Sequence, residues 1–350
     1  MTAAGWIVSY LARWLPHAAP TGLFAAGEPD ESSPVIVTAN FSLTVERVKK
    51  ALRGRSAWLL VANTDGINVW CAAGGGIFTA NRVIDAIKIS GLADRVGHRS
   101  VLLPALAAPG IDIEAVGRET GFRVRFGPVQ AADIPAYLDA GMKKTDAMRR
   151  FRFDLRHRLD MFVPMNLPVY LFVAAVLAIV KRDGLLGFTA IFWGAVAFLY
   201  LFINVIPGKT GWGQAMFSAA ALIAAWAGVD WLTAGDPLAH WGWLVATLGI
   251  FFAAGFDLAG IVSPRRSDAE MLMHRLGFKS FGSMFSAKDL GDIALDRGKC
   301  SGCGKCRGVC PVGVFGDPGG DGKTMLHDGR ACFSCGACVK QCPENALQLK

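Results

Sequence analysis

The sequence predicts a multidomain protein of three parts: a Rossmann-like α/β domain, an α-helical transmembrane domain and a small α+β domain. Three observations predict this order. Residues 34–142 alternate short apolar runs with amphipathic segments, residues 161–262 are almost wholly apolar, and eight of the nine cysteines lie between residues 300 and 342. Residues 1–33 are assigned to an N-terminal segment, and Cys71 is the one cysteine outside the C-terminal group.

The first part, residues 34–142, predicts a mainly parallel sheet. Its strand-like runs are PVIVTA, AWLLVA, SVLLPAL and RVRFG, and the segments between them have the period of amphipathic helices that end in glycine. Ligands of parallel sheets bind at the carboxyl ends of the strands. The segment NTDGINVWCAAGGG, which follows AWLLVA, is therefore placed at the ligand-binding edge.

Four apolar spans are predicted in the middle part, at residues 161–180, 185–206, 215–232 and 241–262. The net charge of +8 is concentrated around them, in a basic juxtamembrane linker at 143–160 and a second linker at 263–292. An even number of spans with basic flanks predicts a multi-pass protein of the cytoplasmic membrane, with both soluble domains in the cytoplasm. A nucleic-acid partner is the weaker alternative, because no aromatic-plus-basic binding motif accompanies the charge.

The C-terminal cysteines form two copies of a C-x2-C-x2-C-x3-C-P run, CSGCGKCRGVCP and CFSCGACVKQCP. Thiolates at this spacing hold three corners of one [4Fe–4S] cluster, and the fourth cysteine of each run reaches the other cluster. Disulfides or zinc are the alternatives, and the duplicated register disfavours both. Residues 293–350 thus resemble bacterial two-cluster ferredoxins. The predicted ligand sets are Cys300, Cys303, Cys306 and Cys342 for one cluster and Cys310, Cys332, Cys335 and Cys338 for the other.

Cys71 has two interpretations. A lone cysteine is more often a structural core residue than a ligand. Its place at the ligand-binding edge, followed by Ala72, Ala73 and three glycines, favours a thiol that faces a flat metal cofactor. A short helix after Cys71 would favour the thiolate through its positive N-terminal end.

The segments NVWCAAG, GHRSVLLPALAAPG and FGPVQAADIPAYLDAGMKKT resemble the corrinoid-binding domain of the mercury-methylation corrinoid proteins, over roughly residues 34–150. That family is related to the large subunit of the corrinoid iron–sulfur protein of acetyl-CoA synthesis. It places a membrane domain after the corrinoid domain, and its partner is a separate two-cluster ferredoxin. The present chain resembles a fusion of the two proteins.

The resemblance implies a corrinoid cofactor in addition to the two [4Fe–4S] clusters. It implies that the Cys71 thiolate faces cobalt and that the ferredoxin, fed by an upstream electron donor, returns cobalt to Co(I). A folate-type methyl donor or its methyltransferase would supply the methyl group, and mercury(II) is the expected acceptor. The residues that the resemblance assigns to the cap around cobalt are Asn68, Val69, Trp70, Cys71, Ala72, Ala73 and Gly74.

Two departures from the family pattern leave the methyl acceptor open. Gly75 stands where the family has lysine, and the cysteine count closes at one plus eight, without the extra thiols of the family's ferredoxin. The membrane domain is also one helix shorter than the family's. The alternatives are a corrinoid paralogue that methylates another acceptor and a non-catalytic, membrane-tethered electron carrier.

Overall fold

The computed structural model describes residues 3–13, 15–152, 154–203, 205–206, 211–232, 241–256, 293–327, 332 and 334–349. The chain divides into two compact units. One contains Met1–Ser9, Leu15–Arg152 and Lys279–Lys350, and the other contains Tyr10–Trp14 and Phe153–Phe278. The predicted linker at 263–292 and the end of the fourth predicted span, after residue 256, lie outside the described residues.

A five-stranded sheet organises the first unit. Its order is β1-β3-β2-β4-β5, with parallel pairing between β3, β2, β4 and β5 and antiparallel pairing of β1 with β3. The prediction of a mainly parallel sheet is confirmed. The strands are β1 Gly22–Ala26, β2 Val35–Ala39, β3 Ala57–Ala62, β4 Ser100–Leu103 and β5 Arg123–Phe126.

Strand β1 lies in the segment that the sequence analysis placed outside the domain. Its five residues pair with β3 in antiparallel register, with Leu23 opposite Leu60. Four of its residues are half-buried and one is exposed, as expected of an edge strand. The sheet therefore begins ahead of residue 34.

Helices cover both faces of the sheet. The central strand β2 is buried at every position, because parallel strands are covered on both sides. Successive side chains alternate between two cores: Val37 and Leu60 pack on one face, and Ile36 and Leu59 pack on the other. The helices of this region are α1 Ala3–Leu11, α2 Ser42–Ala51, α3 Val69–Gly74, α4 Ala80–Ile89, α5 Leu92–Arg95, α6 Ile113–Thr120, α7 Ile134–Asp139 and α8 Asp146–Arg149.

The predicted juxtamembrane linker does not begin at residue 143 as a separate segment. Residues 143–152 belong to the first unit. Met148 is 8% exposed, and its carbonyl accepts a hydrogen bond from Val129 N at 3.0 Å. An apolar contact and a backbone hydrogen bond thus fix this basic stretch against the α/β domain.

The cysteine-rich region forms a small α+β fold in the same unit. Strands β6 Ile293–Leu295 and β7 Leu347–Leu349 pair in antiparallel fashion and join its two ends. Two short helices, α13 Lys305–Val309 and α14 Ala337–Lys340, each begin after a glycine in the left-handed conformation. The described residues therefore have the α+β arrangement that the sequence predicts.

The second unit is helical. Its helices are α9 Leu155–Val180, α10 Leu185–Phe202, α11 Gly211–Leu232 and α12 Trp241–Phe256. Among the residues that the structure describes, two helices, Leu155–Val180 and Arg182–Phe202, are long and apolar enough to cross a membrane. Helix α9 begins at Leu155 rather than at residue 161, because the Asp154 side chain caps it by accepting a hydrogen bond from His157 N at 3.0 Å.

Helix α9 continues through two prolines. Pro164 has no N–H, so the carbonyl of Asp160 lacks its usual donor one turn later in the helix. Arg13 Nη1 donates to that carbonyl at 2.7 Å. Asn166 is buried, and its Nδ2 donates to Phe162 O at 2.9 Å. The Arg13 side chain thus pairs with the carbonyl that Pro164 leaves without a backbone donor, and Asn166 adds a side-chain hydrogen bond within the helix.

Candidate metal and cofactor centres

Cys71 lies in α3, which follows β3 at the carboxyl edge of the sheet. Asn68 is the N-cap of α3, and its Oδ1 accepts a hydrogen bond from Cys71 N at 3.0 Å. The same carboxamide places Nδ2 3.3 Å from Cys71 Sγ. One side chain therefore both starts the helix and orients the thiol.

The residues assigned to the cofactor cap divide into two groups. Asn68, Trp70, Cys71 and Gly74 are half-buried at the surface. The other three have side chains directed into the sheet core, and the prediction that they form part of the cap therefore applies to their backbone atoms. These are Val69, Ala72 and Ala73, with exposed fractions of 7%, 0% and 3%.

Burial raises the pKa of the Cys71 thiol, and the hydrogen bond from Asn68 opposes that shift only in part. The expectation that α3 favours the thiolate is therefore wrong for the protein without a metal. A buried thiol gives up its proton readily only when a cation replaces it. The site has a thiol, a hydrogen-bond donor that orients the thiol, and glycines at 74–76 that carry no side chain. These features fit a flat metal cofactor.

A buried polar network fixes the loop that leads to α3. Asn40 follows β2, and its Oδ1 accepts hydrogen bonds from Thr64 N at 2.8 Å and Gly66 N at 3.0 Å. The Thr64 hydroxyl lies 2.9 Å from the same oxygen and 2.8 Å from Ile67 O. Asn40 is 4% exposed and Thr64 is fully buried. The sequence analysis did not identify either residue, although each lies just beyond the end of a parallel strand.

The first cluster site is a cavity of about 300 Å³ in the cysteine-rich fold. Thr324 lies beside it, and its Oγ1 is 3.5 Å from Cys306 Sγ. Ala346 N donates to Cys342 Sγ at 3.3 Å. The four thiols that line this cavity are those of Cys300, Cys303, Cys306 and Cys342.

The second site is a cavity of about 330 Å³ with an apolar wall that includes Val314 and Phe315. Ser334 N lies 3.4 Å from Cys332 Sγ and donates to it. No group of three or more His, Cys, Asp or Glu in the described ranges is spaced to hold a single metal ion. The four thiols at this cavity are those of Cys310, Cys332, Cys335 and Cys338.

The two cavities bring together the two cysteine sets that the spacing predicts, including the exchanged fourth cysteines. Burial raises the pKa of Cys335 to about 12 and that of Cys338 further, and neighbouring thiols add to both shifts. Four thiols crowded at one apolar site need positive charge before they ionise together. The donor sets therefore fit [4Fe–4S] clusters, which take four thiolates each.

The loops before α13 and α14 each have a residue in the left-handed conformation at matching positions. Gly302 has φ +73° and Ser334, at the matching position of the second run, has φ +58°. A Cβ on Gly302 would overlap the carbonyl oxygen of Gly322, so glycine is required there. Ser334 accepts the left-handed conformation at a cost of about 1 kcal/mol or more.

Comparison with known proteins gives two family matches. A family model described as CO dehydrogenase/acetyl-CoA synthase delta subunit matches residues 10–138, and a model described as 4Fe-4S dicluster domain matches residues 299–347. The chain thus has one region similar to each family. Residues 139–298, which include the apolar helices, lie between the two matches.

Curated relatives match about a third of the chain. The acetyl-CoA decarbonylase/synthase complex subunit gamma 2 of Methanosarcina thermophila is 42% identical over 130 residues, which are 35% of this chain and 27% of that protein. The gamma subunit of Methanothermobacter thermautotrophicus is 40% identical over 126 residues, with the same two shares. The gamma subunit of Archaeoglobus fulgidus is 38% identical over 120 residues, 34% of this chain and 25% of that protein. The chain spans about a quarter of the length of these relatives.

The Asn40 network predicts a specific local weakness. Asn40→Ala removes the acceptor shared by Thr64 and Gly66 and leaves buried donors unpaired, at a cost of about 2–3 kcal/mol. Hydrogen exchange at residues 63–68 should rise strongly in this variant. Asn81→Ala, at an exposed position at the start of α4, should change it little. Equal protection in the two variants would show that the network does not hold the loop.

The exchanged ligand sets predict which cluster each cysteine holds. The full chain should bind about eight iron atoms, and Cys342→Ser and Cys310→Ser should each lose about half. Cys342→Ser should perturb the cluster signal that Cys303→Ser also perturbs, and Cys310→Ser should match Cys335→Ser. The measurements are iron content and the electron paramagnetic resonance of the reduced protein. Pairing of Cys342 with Cys335 instead would contradict the assignment.

Proposed function

We propose that the protein is a membrane-anchored, corrinoid-dependent methyl-transfer protein with a fused ferredoxin that supplies its electrons. The observation that carries this function is the half-buried Cys71, whose thiol is held by Asn68 in a region that matches the family model described as CO dehydrogenase/acetyl-CoA synthase delta subunit. A bound corrinoid would supply cobalt that accepts a methyl group and passes it on. The protein supplies a sulfur ligand, its orientation and electrons.

The position of Asn68 is suited to a sulfur ligand of cobalt. Its Oδ1 is engaged by Cys71 N, so the carboxamide is fixed with Nδ2 toward Sγ. A hydrogen bond to a metal-bound sulfur tunes the electron density that the sulfur donates. Trp70 and Gly74, half-buried beside the thiol, would border the cofactor.

The fused ferredoxin supports a redox role. Two cavities, each lined by four cysteines, lie in the same compact unit as Cys71. Clusters of this kind carry one electron at a time at low potential, as the reduction of a corrinoid requires. An upstream electron donor would reload the clusters.

The exposure of the apolar helices supports a membrane anchor. Only 11% of the apolar window of α9 and 33% of that of α10 are buried, whereas the core helix of a soluble protein is mostly buried. Phe172, Ile179 and Leu186 are 73%, 87% and 84% exposed. Apolar surface of this extent needs lipid around it. The proposed site is the cytoplasmic membrane, crossed several times, with both soluble domains in the cytoplasm.

Mercury(II) is the proposed methyl acceptor, on the strength of the NVWCAAG segment, and a folate-type compound or its methyltransferase is the proposed methyl source. Gly75 is half-buried beside the cap, where the resembling family has a lysine. A paralogue that methylates another acceptor is the second candidate, favoured by this missing cation and by the absence of a tenth cysteine.

The cofactor is tested by reconstituting the purified full chain with hydroxocobalamin under anaerobic conditions. The protein should retain the corrinoid through gel filtration, with a visible spectrum that changes in Cys71→Ala because a sulfur ligand is lost. The iron–sulfur absorbance should be equal in both. Lys50→Ala, at an exposed position of α2, which packs on the other face of the sheet from α3, serves as the control and should bind with the native spectrum.

A corrinoid that never binds, while the clusters assemble, would select the non-catalytic electron carrier instead. A corrinoid that binds with one spectrum in the native protein and in Cys71→Ala would remove the sulfur from its proposed role.

The acceptor is tested separately by expressing the chain in an anaerobic host exposed to mercury(II). Methylmercury should form with the native chain and fall to background with Cys71→Ala, and mass spectrometry of the culture measures it. Gly75→Lys restores the cation found in the resembling family and should leave the yield equal or higher. Corrinoid binding without methylmercury, in both the native and Gly75→Lys chains, would favour the paralogue.

A further inference from the structure

Gln341 joins the ferredoxin fold to the α/β domain. It directly precedes Cys342, a proposed ligand of the first cluster, and it is 4% exposed. Its Nε2 donates to Ala108 O at 3.0 Å and to Ile111 O at 2.7 Å. The carboxamide orientation follows from these two acceptors, and its Oε1 is buried without a hydrogen-bond partner. Burying an amide oxygen without a hydrogen bond costs stability, so the two hydrogen bonds that Nε2 donates must hold the side chain in this position.

The loop that accepts these bonds backs the Cys71 helix. Residues 108–111 follow the 3-10 turn Ala105–Ala107, which packs on α3. Gly110 lies so close to this helix that a Cβ built on it would overlap Phe78 O and lie 3.2 Å from Ala73 Cα. A short chain of packed backbone thus connects Cys342, through Gln341 and this loop, to the helix that holds Cys71.

Lys144 makes the reciprocal contact. It belongs to the α/β side, and its Nζ donates to Gly127 O on that side and to Gly308 O in α13 of the ferredoxin fold. Burial, with help from the charge of Arg149, lowers the pKa of Lys144 to about 8. The neutral amine still has two N–H groups for the two carbonyls. Gln341 and Lys144 thus insert a donor between backbone carbonyls from opposite sides of the contact, and Lys340 Nζ adds a further side-chain donor, to Pro109 O at 3.3 Å.

Further contacts surround Gln341 and Lys144. Phe151 N donates to Pro311 O at 2.7 Å, and Arg307 pairs with Asp146 at 2.9 Å. Ala108, which is fully buried, packs in the apolar cluster that contains Cys306 and Val309. The exposed ion pair contributes little, whereas buried apolar contact and buried donors stabilise a fixed position.

We infer that Gln341 and Lys144 hold the ferredoxin fold in a fixed docked position, from which a cluster held by Cys300, Cys303, Cys306 and Cys342 would pass electrons across residues 108–111 to a cofactor bound at Cys71. The inference deepens the proposed function and rests on it. One electron leaves the reduced cluster and one reaches cobalt, so the step balances without a further reactant. Gln341 is a positioning residue, because it touches neither the cluster nor cobalt.

The test uses the full chain with assembled clusters in detergent and the isosteric variant Gln341→Glu. A carboxylate has no donor and faces two carbonyl oxygens, so docking should fail without a change of side-chain size. Hydrogen exchange at residues 105–111 should rise about tenfold or more, while exchange at β2 and β3 stays native. The matched control is Gln348→Glu, an exposed glutamine in β7 of the same fold. It should leave exchange at all of these segments native.

A second measurement connects docking to electron delivery. Hydroxocobalamin is bound, the clusters are reduced in a stopped-flow instrument, and the rate of cobalt reduction is measured. In the native chain this rate should not depend on solvent viscosity. In Gln341→Glu it should slow about tenfold or more and become viscosity-dependent, because a tethered but undocked module must diffuse to its site. The iron content should equal that of the native chain, which separates docking from cluster loss.

The possible results distinguish the docking contact from the route of electron delivery and from the proposed function. Unchanged exchange at residues 105–111 in Gln341→Glu overturns the docked position, whatever the cofactor does. Changed exchange with an unchanged rate of cobalt reduction overturns the delivery route and leaves the proposed function standing. Failure of the native chain to bind hydroxocobalamin, with the exchange result as expected, overturns the proposed function and the delivery route but keeps the docking contact.

Discussion

The carboxamide oxygen of Asn40 is the contact on which the position of Cys71 depends. It joins the ends of two adjacent parallel strands, because Asn40 follows β2 and its donors Thr64 and Gly66 follow β3. A buried acceptor shared by several donors has little freedom to move without leaving one of them unpaired. The loop after β3 therefore enters α3 in one conformation, and Asn68 then fixes the thiol.

The cysteine-rich fold is stabilised in a different way. Its two sheet strands are three residues each, and its core is small, so apolar burial alone gives limited stability. The exchange of Cys310 and Cys342 between the two cavities means that each cluster would cross-link both halves of the fold. Cluster assembly and folding are coupled in such an arrangement. The α/β domain, with two apolar cores around one sheet, has no such requirement.

Features with a regular spacing were predictable from the sequence. Buried parallel strands produced continuous apolar runs, and the duplicated cysteine run predicted the two four-cysteine groups that line the cavities. Strand β1 was not predicted because it is short and half-buried, and because no helix separates it from the next strand along the chain. Asn40 and Thr64 are 24 residues apart, and only the sheet brings them together.

Side-chain direction and protonation were the least predictable properties of the site. The small residues after Cys71 indicated an open surface, yet Ala72 and Ala73 point into the core because α3 packs on the sheet through that side. The pKa of Cys71 depends on burial, which a sequence does not give. The role of Gln341 was not predicted, because the spacing of the cysteine ligands explains the sequence around Cys342 without giving Gln341 a function.

Gln341 and Lys144, which help to join the ferredoxin fold to the α/β domain, both donate to main-chain oxygens. The accepting positions, Ala108, Ile111, Gly127 and Gly308, contribute carbonyls that every amino acid carries. Side chains at the accepting positions can consequently drift during evolution without loss of the hydrogen bonds, provided that the loop path is kept. Pairs of residues that change together across related sequences would then be a poor guide to this contact, and an invariant glutamine or lysine facing variable neighbours would be the better one.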